Sequence, residues 1–401
     1  MNAPDARILK NEPGNGILPT KEFFSPEYFE HEKERIFKKS WLRVGREEQI
    51  PNVGDYFVQE LEACDTSLII VRGRDKRIRA FHNNCSHRNN RMAYEKTGNA
   101  GTAFRCRFHS WSYGLDGKLM AVPEEHHFPG LDKSQHGLSE VACESWEDFI
   151  YINVDPHPAQ TLREYLGEEV YNGFGGFFKQ YKQVHKMSAI VNCNWKASLD
   201  AFVETYHFST VHALTAKDIV TSREYPNGKV DAFREFGKHR IVSVGANMAH
   251  EHTFTETLAR KFSGNATLAG SDAARKYEGA AQINPESMSN WLTDILVVFP
   301  MANTQPLSGF FIYQNYWPLD HGKIRWELIV CMKPPQSAAG EAAVEYNRVL
   351  LIDLNREDLN NLEWVQKNLN AQTKNHQVLG EMEVMLRSAY KTVAKEIGYG
   401  W

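Results

Sequence analysis

Cys85-Ser86-His87 and Cys106-Arg107-Phe108-His109 decide how this chain is read. Each short segment offers one thiolate and one imidazole. Two irons bridged by sulfide need four protein ligands. In a Rieske centre two histidines replace two of the usual cysteines on one iron, which raises the reduction potential by on the order of hundreds of millivolts. The spacings Cys-x-His and Cys-x2-His meet that need. A structural zinc site also takes two cysteines and two histidines. Zinc motifs usually keep their cysteines together and then their histidines, whereas here each segment carries one of each. Chance placement is the third reading, since the chain holds 16 histidines. The mixed pairs favour the iron–sulfur reading.

Working outward, 401 residues leave room for two domains, each with its own core. Hydrophobic residues make up 42% and charged residues 24%, ordinary for a globular protein. The net charge of −4, with no Lys/Arg run, gives no reason to expect nucleic acid. Met1 to Thr20 carries Asp5, Arg7, Lys10 and Glu12 and no apolar h-region, and no apolar run approaches membrane-spanning length. Cytoplasmic residence is therefore expected, with no membrane association and no disulfide framework. Cys64, Cys143, Cys193 and Cys331 are expected to be small buried hydrophobes.

The pattern along the chain predicts an α+β protein. Residues 1–40 read as an extended arm to about residue 24, then a helix to about Ser40, started by Ser25-Pro26-Glu27. Short β-rich segments separated by Gly or Asp turns follow, and both metal-ligand segments fall among them. These place a small all-β domain at 41–158. Residues 159–401 form a second domain of mixed character. In it, 189–192 reads as a strand, 194 to about 212 as a helix, and 220–245 as a hairpin or two. Residues 251–294 read as a polar, partly helical insertion able to cover a pocket. Apolar strands are expected at 295–300, 310–316 and 325–332, and helices at 341–354, 357–369 and 378–397. The Gly-Phe stretch at 173–178 lacks the G-x-G-x-x-G spacing of a nucleotide loop. No ferredoxin-type cysteine run is present either, so electrons are expected from a separate protein.

A second group of ligand types lies in 194–212. Two neutral imidazoles and one carboxylate, with open positions opposite, bind Fe(II) for oxygen activation. Glu204 and His207 are three apart and would share a helix face. His207 and His212 are five apart, so they meet only if the helix ends there or carries a π-type bulge. Two satisfied core histidines are the bland alternative. For the carboxylate, Glu204, Asp353, Glu357 and Asp358 all qualify, the last three falling between two expected helices. Spacing does not choose among them.

Over almost its whole length the sequence resembles the oxygenase (alpha) components of Rieske non-haem iron oxygenases of the aromatic-ring-hydroxylating type. The resemblance rests on Glu34 to Trp41, Cys85-x-His87-Arg88 and Cys106-x2-His109-x-Trp111-x-Tyr113 with Asp116-Gly117. It continues through Asn194-Trp195-Lys196, Glu204-x2-His207-x4-His212, and Glu357-Asp358-Leu359 eight residues before Gln366. It implies a [2Fe–2S] Rieske cluster on Cys85, His87, Cys106 and His109, and Fe(II) on His207, His212 and Asp358. It implies a helix-grip-like catalytic domain, with the N-terminal arm and helix packing on it. It also makes Glu204 a bridge to a cluster histidine of the neighbouring subunit, in a homotrimer whose clusters serve the next subunit's iron. Three positions depart from the pattern. Asn89 and Ser110 stand where glycine is common, and Asp200-Ala201 replaces a Glu-Asn pair.

The expected function follows from that resemblance. The chain would be the terminal component of a multicomponent oxygenase that takes electrons from NAD(P)H through a ferredoxin or flavin reductase. It would hydroxylate an aromatic or other apolar small molecule, as in aromatic hydrocarbon catabolism, by dihydroxylation or monohydroxylation. Oxidative N- or O-dealkylation is the alternative at the same iron. Ala201, Phe202 and Phe208 flank the iron ligands and are the candidate substrate contacts, with 251–316 supplying more wall. A small beta subunit is compatible with the sequence. The rivals from other classes are a Rieske electron carrier without oxygenase activity and a zinc-stabilised binding protein.

Overall fold

The computed structural model describes residues 16–263 and 277–398. The first fifteen residues of the expected arm, and 264–276 of the expected insertion, lie outside the described residues. The chain forms two compact units: Phe37–Tyr165, and the described residues up to Ile36 together with those from Leu166 onward. Both are dominated by antiparallel sheet, and the helices belong mostly to the second, so the fold is α+β.

The first unit is all-β apart from single turns and one short helix, Leu162–Leu166. Its strands are Leu42–Arg46 (β1), Asp55–Leu61 (β2), Thr66–Arg72 (β3), Ile78–His82 (β4), Thr97–Asn99 (β5), Ala103–Arg105 (β6), Ser112–Gly114 (β7), Leu119–Ala121 (β8), Glu140–Trp146 (β9) and Phe149–Asn153 (β10). Seven form one antiparallel sheet in the order β1-β10-β9-β4-β3-β2-β5, and β6-β7-β8 form a second, smaller one. In β3, Leu68-Ile69-Ile70-Val71 is buried on both faces, as a β-branched run without polar alternation requires. The loop from β4 to β5 carries Cys85 and His87, and the loop from β6 to β7 carries Cys106 and His109. Ile69, Phe81, Phe104, Trp111 and Leu115 pack into one core with both cysteines.

The second unit holds Lys182–Val191 (β11), Ala232–Phe236 (β12), His239–Gly245 (β13), Trp291–Val298 (β14), Ala302–Leu307 (β15), Phe310–Asp320 (β16) and Lys323–Met332 (β17). They make one antiparallel sheet in the order β11-β17-β16-β15-β14-β13-β12. Its helices include Pro26–Glu32 (α1), Trp195–Asp200 (α2), Phe208–Val211 (α3), Ala338–Asn370 (α4) and Val384–Ile397 (α5). Ser25 caps α1 by accepting from the Tyr28 amide at 3.2 Å, and the chain continues as one π-helical turn, Lys33–Phe37. Among the described residues no helix is long and apolar enough to cross a membrane.

Four sequence expectations are corrected. The arm is not wholly irregular, because Ile17–Pro19 pairs antiparallel with His376–Val378. The helix from 194 stops at Asp200, and Ala201–Thr205 runs through turns before α3, so Glu204 and His207 share no helix face. The helices expected at 341–354 and 357–369 are one 33-residue helix, α4. Asp353, Glu357 and Asp358 therefore sit on a helix rather than between two. The polar run Asn355-Arg356-Glu357-Asp358 reads as a break, yet Leu351, Asn355, Asp358, Leu362 and Gln366 recur at three or four residues on the buried side of α4. The fourth is β15, whose polar residues and Pro306 hide a strand that is paired on both sides.

α2 is anchored by a buried ion pair. Lys196 Nζ lies 2.6 Å from Glu32 Oε1 of α1 and donates to the Glu22 carbonyl at 2.9 Å, while Trp195 Nε1 donates to Glu32 Oε2 at 3.0 Å. The Lys196 and Glu32 side chains are 2% and 0% exposed. Burial pushes the Glu32 carboxyl up from its ordinary range, countered by Lys196. Removing one partner strands the other charge, at a cost of about 3–5 kcal/mol. A Lys196→Met variant is expected to lose about that much stability at pH 8 in urea titrations. It should lose less at pH 5, because a carboxyl with a raised folded pKa binds its proton more tightly when folded, so stability falls as pH rises. An equal loss at both pH values would show that Glu32 is not the stranded group.

Candidate metal centres

The two cysteine loops share a backbone plan. The Cys85 amide donates to the Asn90 carbonyl at 2.8 Å and the Cys106 amide to the Trp111 carbonyl at 2.8 Å. The Asn89 amide returns to the Cys85 carbonyl at 2.9 Å, and the Ser110 amide to the Cys106 carbonyl at 3.0 Å. Closing each loop this way puts Asn89 at φ 56° and Ser110 at φ 62°, the left-handed region that favours glycine. This explains why glycine is common at both positions in the family pattern. Asn tolerates it better than Ser.

Both sulfurs are buried and neither is in a disulfide. Tyr113 hydrogen-bonds Cys85 Sγ at 3.1 Å, and the amides of Phe108 and His109 reach Cys106 Sγ. Burial pushes the Cys85 thiol up. At Cys106 burial acts the same way, but hydrogen bonds from those amides, Cys85 and Asn90 together hold the thiol low. His87 stacks on Trp111 at 4.7 Å and meets His109 edge-on at 4.6 Å. His87 Nδ1 is buried and has no hydrogen-bond partner. Two adjacent thiols, two adjacent imidazoles and an orphaned ring nitrogen fit a [2Fe–2S] cluster with two ligands on each iron. Hydrogen bonds to the sulfurs are among the features that set such a cluster's potential.

In the second unit three donors converge. His207 Nε2 and His212 Nε2 are 3.1 Å apart, and Asp358 Oδ1 lies 3.5 Å from the first and 3.2 Å from the second. With metal–ligand bonds of about 2.1 Å, three ligands at right angles stand about 3 Å apart. The local fold makes this possible because α2 has ended. His207 then precedes the short α3, His212 follows it, and one turn brings both rings round to α4. His212 Nδ1 lies 2.9 Å from Glu357 Oε2, which also accepts from Thr215 Oγ1 at 2.5 Å. His207 Nδ1 pairs with Glu204 Oε1. Each carboxylate thus accepts a hydrogen bond from Nδ1–H and leaves the Nε2 lone pair free for a metal. Burial pushes the Asp358 carboxyl up, countered by His212. A buried carboxylate beside two bare imidazoles fits a divalent cation, and this donor set suits Fe(II).

The donors open into a cavity whose empty space, open mouth included, is about 720 Å3. Ala201, Phe202 and Phe208 all line it. β14, β15 and β16 add Leu292, Ile295, Leu307 and Ile312. Of the other carboxylates considered, Asp353 is 52% exposed and faces Arg356, while Glu204 and Glu357 contact the far nitrogens of the histidines. Sequence reasoning weighed Glu357 only as a ligand. Its contact with His212 depends on α4 being continuous, which spacing did not reveal. Gln366 was noted only as a pattern marker. Its Oε1 accepts from the Asn194 amide at 2.7 Å and its Nε2 donates to the Phe23 carbonyl at 3.0 Å, tying α4 to the start of α2.

Comparison with known proteins places two families on the chain. The family described as Ring hydroxylating alpha subunit (catalytic domain) matches residues 178–398, and the Rieske [2Fe-2S] domain matches residues 40–136. The chain is 30% identical over 202 residues to the carnitine monooxygenase oxygenase subunit of Escherichia coli, covering 49% of this chain and 52% of that one. It is 32% identical over 247 residues to the 2-aminobenzenesulfonate 2,3-dioxygenase subunit alpha of Alcaligenes sp, covering 57% and 60%. The chain thus spans about half the length of the curated relatives it matches first. Among solved structures, the quaternary ammonium Rieske monooxygenase CntA superposes with a TM-score of 0.75 at 21% identity over 99% of both chains. Naphthalene 1,2-dioxygenase from Rhodococcus sp. gives 0.75 at 18% identity over 95% and 94%. These structural likenesses show the fold. With more than half of its residues matched by the catalytic-domain family, the chain belongs to the ring-hydroxylating alpha subunits and carries a Rieske [2Fe–2S] domain before its catalytic domain.

Proposed function

We propose that this chain is the terminal oxygenase component of a multicomponent Rieske oxygenase that hydroxylates an aromatic or other apolar small molecule. Cys85, His87, Cys106 and His109 hold the cluster, and His207, His212 and Asp358 hold Fe(II). The convergence of those last three donors carries the reading. When bound, the cluster supplies single electrons and Fe(II) supplies oxygen activation. Glu357 and Glu204 fix the imidazole tautomers, Asp358 contributes the negative charge, and the apolar walls limit water around the reacting centre. Electrons come from a separate ferredoxin or flavin reductase in the cytoplasm. The chain works as a homotrimer in which Glu204 links each iron site to a neighbour's cluster. The likeness to a carnitine monooxygenase favours a second reading, a monooxygenase, with oxidative N- or O-dealkylation included.

Metal analysis of anaerobically purified protein tests the core of this. Roughly three irons and two acid-labile sulfides per chain are expected, with a Rieske EPR signal after dithionite reduction. Zinc in their place, with no signal, would sink the oxygenase reading. A Glu357→Ala variant is expected to bind its mononuclear iron about 10- to 100-fold more weakly with the cluster signal intact. Unchanged iron affinity would remove Glu357 from its orienting role. A Glu204→Gln variant keeps an oxygen for His207, so it is expected to retain both metals and lose most turnover. Full turnover would show that Glu204 is no bridge.

A further inference from the structure

Two residues that line the cavity each carry a buried polar atom with no partner within the protein. Asn355 sits on α4 one turn before Asp358, on the same buried stripe, and is 2% exposed. Its Nδ2 donates to the Leu351 carbonyl at 2.7 Å. A carbonyl only accepts, so the amide orientation is set and Oδ1 is the atom left over, buried and unpaired. Thr293 on β14 is 5% exposed, and its hydroxyl is likewise buried without a partner. Both residues line the cavity that holds the three converging donors. Buried polar atoms are nearly always paired, so two exceptions in one cavity wall mark where a ligand's polar group belongs.

The rest of the lining narrows that ligand. Gln305 is partly occupied, its Nε2 donating to the Phe202 carbonyl at 3.3 Å. Ala201 presents a methyl group where the family pattern has an amide. Among the described residues no lysine or arginine lines the cavity. A carboxylate or sulfonate would therefore find no basic side chain in the wall, and it would face the carboxylates of Glu204 and Asp358.

We propose that this cavity takes an uncharged, largely apolar substrate bearing one hydrogen-bond donor, an N–H or O–H, which Asn355 Oδ1 accepts, with the Thr293 hydroxyl as a second polar contact. The proposal rests on the reading of this cavity as the substrate site of an oxygenase. It makes Asn355 and Thr293 specificity-determining residues on α4 and β14, remote in sequence from the histidine segment.

The test uses the iron-loaded protein and three probes of similar shape in equilibrium binding: indole, which has an N–H; indene, which has a methylene there; and indole-5-carboxylate. Indole is expected to bind about tenfold more tightly than indene. Indole-5-carboxylate should bind at least about tenfold more weakly than indole. Asn355→Leu should bring indole and indene to about equal affinity. The near-isosteric Thr293→Val should narrow the gap and keeps the test open if the first variant does not fold. Equal affinity of the wild-type protein for indole and indene, binding of neither, a preference that survives Asn355→Leu, or carboxylate binding as tight as indole would each overturn the proposal. Iron content and oxygen uptake, measured on the same samples with NADH and a surrogate ferredoxin and reductase supplied, separate the two readings. An iron-free protein that still prefers indole defeats the oxygenase reading alone, and an oxygen-consuming protein without the preference defeats this one alone.

Discussion

Two imidazole nitrogens 3.1 Å apart, with a carboxylate oxygen within 3.5 Å of both, are a convergence of lone pairs that a shared cation would stabilise. The second unit is arranged to hold that convergence. α4 runs unbroken for 33 residues, about 50 Å, and carries Asp358, the orienting Glu357 and the tie at Gln366 on one element. α2 has to stop at Asp200 so that both histidines can turn toward α4. The buried pair of Lys196 and Glu32 anchors α2 to α1 just before that stop. Asp200 itself is half-buried, its carboxyl pushed up to about 8 by desolvation, and it accepts a hydrogen bond from the Tyr390 hydroxyl of α5. Polar residues at core positions thus mark the lines along which the site is supported.

The cluster loops meet the equivalent demand by other means. Their ligands sit in two loops rather than on long elements, so the backbone must be fixed locally. The paired bonds at Cys85 and Cys106 do this. Their consequence is a left-handed residue after each loop's histidine, borne by Asn89 and Ser110 without the freedom of glycine. Asn83 adds a further tie. Its Oδ1 accepts from the amides of Met92 and Ala93, and its Nδ2 donates to the Ala93 carbonyl, holding the loop against β4.

The cavity divides its chemistry between its walls. The helix-borne side supplies the metal donors and Asn355, while the sheet supplies mostly apolar side chains with single polar groups such as Thr293 and Gln305. Such a wall could change its side chains without touching the three converging donors.

Local sequence was enough for the features that depend on neighbours along the chain. The mixed Cys/His pairs identified the cluster chemistry, Ser25-Pro26 the start of α1, and β-branched runs most of the strands. The family resemblance singled out Asp358, which spacing alone left among four carboxylates. What only the tertiary structure decided has one physical cause, burial by residues distant in the chain. It turned the polar run at 355–358 into a continuous helix, made a strand of the Pro306 segment, and ended α2 where the histidines needed to turn. It also brought Glu357 to His212 from 145 residues away and left Asn355 and Thr293 facing a cavity. Periodicity records which face of an element is apolar. Where a polar side chain finds its partner depends on how the elements pack, and no window of sequence contains that.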